Sequence, residues 1–413
     1  MRAHGLAIAT MIACNASPGG DAGTSTSAST TGASDTTSTD GTSTSSTSSS
    51  SASGSSSGST GVDETSAAES SESSTGALVP GPAIVYVASG TQIHRWRMDP
   101  DDGALADHDG LELGADVGPL AHAGDRLWVG VWGNDAIGTF AIDPTSGALT
   151  ELDQVDVGGM VVYLAIDRTT AHVLAADFNR NEVSSWPLDG DGVAHGPAAT
   201  KLDVGTNPHS IVLAPAGDFA FAPHLTSNEI RQLVYDEADG TLAFNDPDRV
   251  TVSNGTGPRH MIFAEDARFA WVINETGDSI TRWIYDARAG LLSQPDTVST
   301  LPRGTNGSNN YCADLHLGQD EAFLYGSNRG EDTLAMFAVD PRDGTLTLLD
   351  QFDTEAHPRS FAIDPTRKFL YAAGRDSGRL ASYAIAGDGS LAPQDTIDAM
   401  PEPGWVEIVP LPR

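Results

Sequence analysis

From residue 79 onward the apolar positions come in short runs rich in Val, Ile, Ala and aromatic residues, broken by Gly, Asp and Asn. Runs such as Ala83-Ile84-Val85-Tyr86-Val87, Met261 to Ala264 and Phe269 to Ile273 have the length and β-branched content of strands. Helical periodicity is absent throughout. The pattern predicts an all-β domain.

The runs also repeat. An aliphatic residue is followed three positions later by a large one, three after that by Asp, then by Gly and Leu. The copies are Ile93-Trp96-Asp99-Gly103-Leu105, Ile137-Phe140-Asp143-Gly147-Leu149, a looser Val183-Trp186-Asp189-Gly192, Ile230-Leu233-Asp236-Gly240-Leu242, Ile280-Trp283-Asp286-Gly290-Leu292, Leu334-Phe337-Asp340-Gly344-Leu346 and Leu380-Tyr383-Gly389-Leu391. Successive glycines lie 44, 45, 48, 50, 54 and 45 residues apart. A period in the forties built from short strands and Asp…Gly turns predicts a β-propeller, here of seven blades. The first copy begins at its second strand, and the chain ends in an orphan run, Gly404-Trp405-Val406-Glu407-Ile408-Val409. That run is expected to supply the missing inner strand of blade one and close the ring, hiding both edges. The domain is expected to act as a monomer.

The chain before residue 78 is of another kind. Residues 1–14 read as a secretion signal, with Arg2 at its positive end and an apolar run from Gly5 to Ala13. Met11-Ile12-Ala13-Cys14 resembles a bacterial lipobox, so Cys14 is the expected lipidation site, although Met11 stands where Leu is usual. Residues 15–77 are nearly all Ser, Thr, Gly and Ala, too poor in apolar surface to offset their ordering entropy. They are expected to be a disordered tether with a reach on the order of 45 Å. The expected domains are thus 1–14, 15–77 and 78–413. The expected location is the bacterial cell envelope, periplasmic or cell-surface, with the membrane reached through the lipid.

Charge narrows the partners. Asp and Glu number 56 against 22 Lys and Arg, a net −34, which excludes a phosphate backbone as partner. Against that background a converging set of arginines implies a small anion as ligand. Aligned copies carry two slots fifteen residues apart, one opening the inner strand and one following the second strand: His209/His224, Arg259/Asn274, Ala313/Asn328 and Arg359/Gly374. Leu225, Glu275, Arg329 and Arg375 come next. Both slots face one end of a propeller, beside its central channel. Blades four to seven are therefore expected to aim His209, Arg259, Glu275, Arg329, Arg359 and Arg375 at one mouth, with Trp132 and Phe178 of blades two and three as an apolar wall. Side chains lining such a wet mouth are expected to add little to stability. Cys312 is the only thiol besides Cys14, so no disulfide forms within the domain, and its apolar setting predicts a buried, inert thiol. His94, His108, His122 and His172 are scattered singly; no metal and no cofactor is expected.

With these residues in order, Asn207-Pro208-His209-Ser210, Gly257-Pro258-Arg259-His260, Asn274-Glu275, Ser327-Asn328-Arg329-Gly330 and His357-Pro358-Arg359, the chain resembles the lactonase family of seven-bladed propellers, which includes 6-phosphogluconolactonase and 3-carboxymuconate cyclase. The resemblance covers residues 79–413 and implies His209, Arg259, Glu275 and Arg329 as active-site residues. Arg359, Arg375, Asn274 and Asn328 are the expected substrate contacts. The chain departs from the family at His224-Leu225-Thr226, where relatives carry an acidic motif. Either His209 or Glu275 has the chemistry of a general base, while Arg259 and Arg329 suit an oxyanion or a substrate carboxylate. Two functions compete: a metal-independent enzyme that opens or forms a lactone of a small carboxylic or sugar acid, and a non-catalytic propeller that binds an anion or a protein.

Overall fold

The computed structural model describes residues 81–412 except Asn306 and Ala399. The signal, Cys14 and the Ser/Thr-rich segment lie outside the described residues.

Seven four-stranded antiparallel sheets follow one another around a channel. Blade one is composite: its inner strand is Pro403–Pro410, and Ala83–Ser89, Gln92–Met98 and Leu105–Glu112 follow outward. The closing strand pairs along its length, with Ile84 opposite Val409 and Val87 opposite Val406. The inner strands of blades two to seven are Val117–Ala123, Val161–Ile166, Val212–Leu213, Pro258–Phe263, Cys312–Leu317 and Pro358–Ile363. In blade four, an isolated bridge between Pro208 and His224 extends the short inner strand to the mouth.

The apolar residues of the repeat are packed between blades. Ile84, Tyr86 and Ile93 of blade one bury against Leu127, Val129 and Phe140 of blade two, and Trp271 and Ile273 of blade five against Leu324 and Phe337 of blade six. The turn glycine of each copy lies at the same joints. Gly147 has φ +70°, and a Cβ there would sit 2.4 Å from Cγ1 of Ile84, in the preceding blade. Its carbonyl accepts a hydrogen bond from the Tyr86 hydroxyl at 2.6 Å. Tyr325 to Gly389 and Tyr371 to Gly103 repeat the bond at 2.6 Å, and indole N–H groups make it from Trp128 to Gly192 at 3.1 Å and Trp271 to Gly344 at 3.0 Å. The repeat glycine is therefore a docking point for the neighbouring blade as well as a turn residue.

Because Tyr371 of blade seven reaches Gly103 of blade one, and Pro403–Pro410 completes blade one, the ring has no free inner edge. A chain ending at Met400 loses Val406 and Ile408 from the joint between blades seven and one. It should give no soluble protein with a cooperative thermal melt by circular dichroism; a melt at the full-length temperature would contradict the closure.

Candidate functional site

The mouth is set by a local irregularity. In an ordinary strand successive side chains point to opposite faces. At the top of five inner strands the register with the second strand slips, between Val117/Leu120, Val161/Tyr163, Pro258/His260, Cys312/Leu315 and Pro358/Ser360. These β-bulges let consecutive residues such as Arg259 and His260 both serve the channel. The residue after each second strand is pinned as well. The amides of Leu225, Glu275, Arg329 and Arg375 donate to the carbonyls of Asn207, Gly257, Tyr311 and His357 at 2.7–3.1 Å.

The structure brings five of the expected residues together. Oε2 of Glu275 accepts from Nε of Arg259 at 3.0 Å and from Nη2 of Arg329 at 2.8 Å. Arg259 also donates through Nη1 to the Ala313 carbonyl and to Nε2 of His260, the latter at 3.1 Å. Arg329 donates to the carbonyls of Tyr311 and Cys312 at 3.1 Å and lies over the Tyr311 ring. Arg359, partly exposed, forms no hydrogen bond or ion pair with a described residue, yet it feels the charges of Arg259, Arg329 and Glu275. His209 stacks edge-on to Phe178 at 5.7 Å and to His260 at 5.5 Å, and its Nδ1 is sealed from solvent with no partner in another described residue. Trp132 covers Gly118, where a Cβ would come within 2.1 Å of the indole, and donates to the Val161 carbonyl.

Three expected contacts lie elsewhere. The Asn274 amide is fully buried and donates to Ser279 and Thr281 of its own blade. The Asn328 amide, equally buried, bonds Thr333, Asn310 and Cys312. Both asparagines tie strand ends together inside a blade, and neither reaches the channel. Arg375 sits farther out, 3.7 Å from Glu402.

The electrostatics are those of an anion trap. Burial, then the charges of Arg259 and Arg359, hold the His209 imidazole well below its ordinary value, so it is neutral. Burial pushes the Glu275 carboxyl up, but Arg329 and Arg259 outweigh it and leave it below the usual carboxylate range. Arg359 is pushed down to about 9 by burial and by Arg259 and Arg329, and Arg259 down to about 10 by burial and Arg329. Guanidinium groups resist deprotonation, so this crowding is relieved by drawing in an anion. Three guanidiniums against the Glu275 carboxylate, with Asp314 acting on Arg259 from below, leave an excess of positive charge.

Several residues not assigned from the sequence lie below the mouth. A cavity of about 270 Å³ is lined by Tyr163, His260, Asp314, His316, Trp405 and Glu407, among others. His122 meets Glu407 at 2.6 Å, and His260 meets Asp314 at 2.9 Å. The signal for His260 and Asp314 was adjacency to the arginine slot, and only the bulge gives that adjacency meaning. His94 and His108, on adjacent strands of blade one, share a hydrogen bond of 3.1 Å. Among the described residues no group of three or more metal-ligating side chains forms. Cys312 is fully buried, its thiol pushed up to about 12 by burial.

A family model described as a lactonase of the seven-bladed β-propeller type matches residues 84–408. A 6-phosphogluconolactonase from Pectobacterium atrosepticum is 32% identical over 334 residues, spanning 79% of this chain and 99% of that protein. One from Serratia proteamaculans is 30% identical over 331 residues, 79% of this chain and 98% of its own. Among solved structures, a periplasmic gluconolactonase of Pseudomonas aeruginosa superposes with a TM-score of 0.72 at 25% identity, over 80% of this chain and all of that one.

The burial of Glu275 and Arg259, each 2% exposed, argues against the expectation that mouth side chains add little to stability. Glu275→Gln leaves two guanidiniums without their counter-charge and should cost about 3–5 kcal/mol. Arg359→Ala, which breaks no pair and removes a like charge, should leave stability unchanged or raise it. Chemical denaturation of the two variants checks both; equal losses would contradict this account of the cluster.

Proposed function

The chain belongs to the lactonase family of seven-bladed β-propellers, and on that premise we propose that it is a metal-independent lactone hydrolase acting on small anionic lactones at the mouth of blades four to seven. The observation that carries this reading is the Arg359 guanidinium, which lies beside two other arginines and one carboxylate with no partner of its own among the described residues. A carboxylate or phosphate on the substrate supplies the missing counter-charge through charge-assisted hydrogen bonds.

The roles follow from what each group has left to give. Glu275 is committed to two arginines and is held below its usual range, which suits an orienting counter-ion better than a base. His209 is neutral and carries no proton that a base must first lose. Burial depresses it most, and an anionic substrate beside it offsets the added effect of the Arg259 and Arg359 charges, raising its basicity as the complex forms. Water attacks the lactone carbonyl carbon while His209 takes its proton. The remaining N–H groups of Arg259 and Arg329 receive the negative charge on the carbonyl oxygen. Collapse of the tetrahedral adduct breaks the ring C–O bond, and the imidazolium returns its proton to the leaving alkoxide. The product is the open hydroxy acid.

The curated relatives are named for a phosphorylated sugar lactone, and the P. aeruginosa structure for an unphosphorylated one in the periplasm. Arg359 favours the anionic class. The P. aeruginosa protein is named as a periplasmic gluconolactonase, which is a precedent for a lactonase of this fold outside the cytoplasm. With it, residues 1–14 and the Ser/Thr-rich stretch to residue 77 support an enzyme tethered to the cell envelope through Cys14.

Initial rates on 6-phosphogluconolactone and gluconolactone, measured with the 79–413 domain, test the reading. His209→Gln should lower kcat by about 10²–10⁴ with little change in KM. Arg359→Ala should raise KM for the phosphorylated lactone about ten- to a hundredfold, the scale of one charged hydrogen bond, and leave the neutral lactone unaffected. Because the base form of His209 is lost only as pH falls through a value well below 6.5, kcat/KM should hold down through pH 6.5 and fall only in stronger acid. Anion binding without turnover of any lactone would overturn the hydrolase and leave a ligand-binding propeller.

Cys14→Ser should release the domain from the membrane fraction of its host. Unchanged partition would rule out the lipid tether.

A further inference from the structure

Arg259 is held from below as well as from the side. Its Nη1 meets Nε2 of His260 at 3.1 Å, and Nδ1 of the same ring meets Oδ1 of Asp314 at 2.9 Å. Asp314 is itself fixed. Its Oδ1 accepts from the amide of Leu315 at 3.1 Å, its Oδ2 from the amide of Phe361 at 3.4 Å, and Nε2 of His316 lies 3.5 Å away. His260 and Asp314 are 3% and 6% exposed, so neither group has bulk water as an alternative partner.

The proton positions follow from donor and acceptor chemistry. A guanidinium only donates, so Nε2 of His260 must be the bare, accepting nitrogen. A carboxylate only accepts, so the single proton of the neutral ring sits on Nδ1. Burial and the adjacent Arg259 charge push His260 down to about 4, Asp314 notwithstanding, so the ring is neutral at ordinary pH. Burial pushes the Asp314 carboxyl up, but His316 and His260 hold it well below the usual range. It is ionised and acts as a fixed acceptor.

We infer that His260 and Asp314 are positioning residues for the mouth. Asp314 locks His260 as the Nδ1–H tautomer, and the bare Nε2 aims the Arg259 guanidinium at the place where negative charge develops. The inference rests on the proposed hydrolysis for its kinetic consequence, but not for the tautomer itself. Arg259 has two other acceptors, Glu275 and the Ala313 carbonyl. Losing His260 should therefore free one N–H of Nη1 and loosen the aim of the guanidinium without expelling the side chain, which Glu275 and the Ala313 carbonyl still hold. The effect belongs on kcat, because the substrate's own anion is assigned to Arg359.

Nitrogen-15 NMR of the histidine rings in the wild-type domain reads the tautomer directly. His260 should show a protonated Nδ1 and a bare Nε2 between pH 6 and 8; a protonated Nε2 overturns the inference whether or not any lactone is hydrolysed. Kinetics give the second arm. His260→Leu should lower kcat about ten- to a hundredfold with KM changed less than threefold. His260→Gln, whose amide oxygen can reach the place of Nε2, should recover most of that loss. Equal losses in the two variants, or a loss confined to KM, would reduce His260 to a packing residue. Should the wild-type domain hydrolyse no lactone, the proposed function fails and the tautomer measurement alone decides this point.

Discussion

Everything at the mouth depends on the pairing of the last strand with the first. Pro403–Pro410 lies against Ala83–Ser89, more than three hundred residues away in sequence, and turns seven sheets into a closed ring. Only in a closed ring do the inner strands of blades four to seven point their upper ends at a common axis. The contact is non-local and costs much chain entropy to form. It is supported by local devices repeated at the joints, where a buried Tyr or Trp donates to the turn glycine of the next blade. The Tyr371 to Gly103 bond carries the same device across the seam, so the closing joint is built like four of the others.

The rigidity of that ring is what lets charges stand in such an unfavourable arrangement. Arg259, Arg329 and Arg359 crowd one carboxylate, and an isolated set of this kind would spread apart into water. Here the arginines are anchored by strand-end backbone: Ala313 for Arg259, Tyr311 and Cys312 for Arg329. The positive charge left over is therefore preorganised, present before any ligand arrives, and need not be assembled during reaction. Glu275 is the hinge of the arrangement, since one oxygen serves arginines of two different blades. Its burial makes it part of the fold as much as of the site.

Much of this was legible in residues alone. Asp…Gly turns at regular spacing implied blades, and the unpaired run from Gly404 to Val409 implied how they close. The fifteen-residue offset put His209, Arg259, Glu275, Arg329 and Arg359 at one end, where the structure places them. The same offset misassigned Asn274 and Asn328. Sequence spacing tells which end of a strand a residue occupies but not whether its side chain turns to the channel or back into the blade. Both amides turn back and close hydrogen bonds within their own sheets. Nor could it tell that mouth residues would be buried. Depth depends on what the neighbouring blades stack above them, such as Phe178 beside His209 and Tyr311 beside Arg329.

The sequence by itself determined the periodic features: strand and turn alternation, the number of blades, the closing strand and the ends where charged residues gather. These follow from local rules, since apolar alternation and turn chemistry act over a few residues and repeat. Tertiary structure decided what depends on several blades at once. The register slips at the tops of the inner strands put His260 and Asp314 into the channel beside the arginine slot. The sharing of Glu275 between blades five and six, the lack of a partner for Arg359 among the described residues and the neutrality of His209 likewise arise from distances across the ring. Such distances are set by how sheets pack, and no window of sequence contains them.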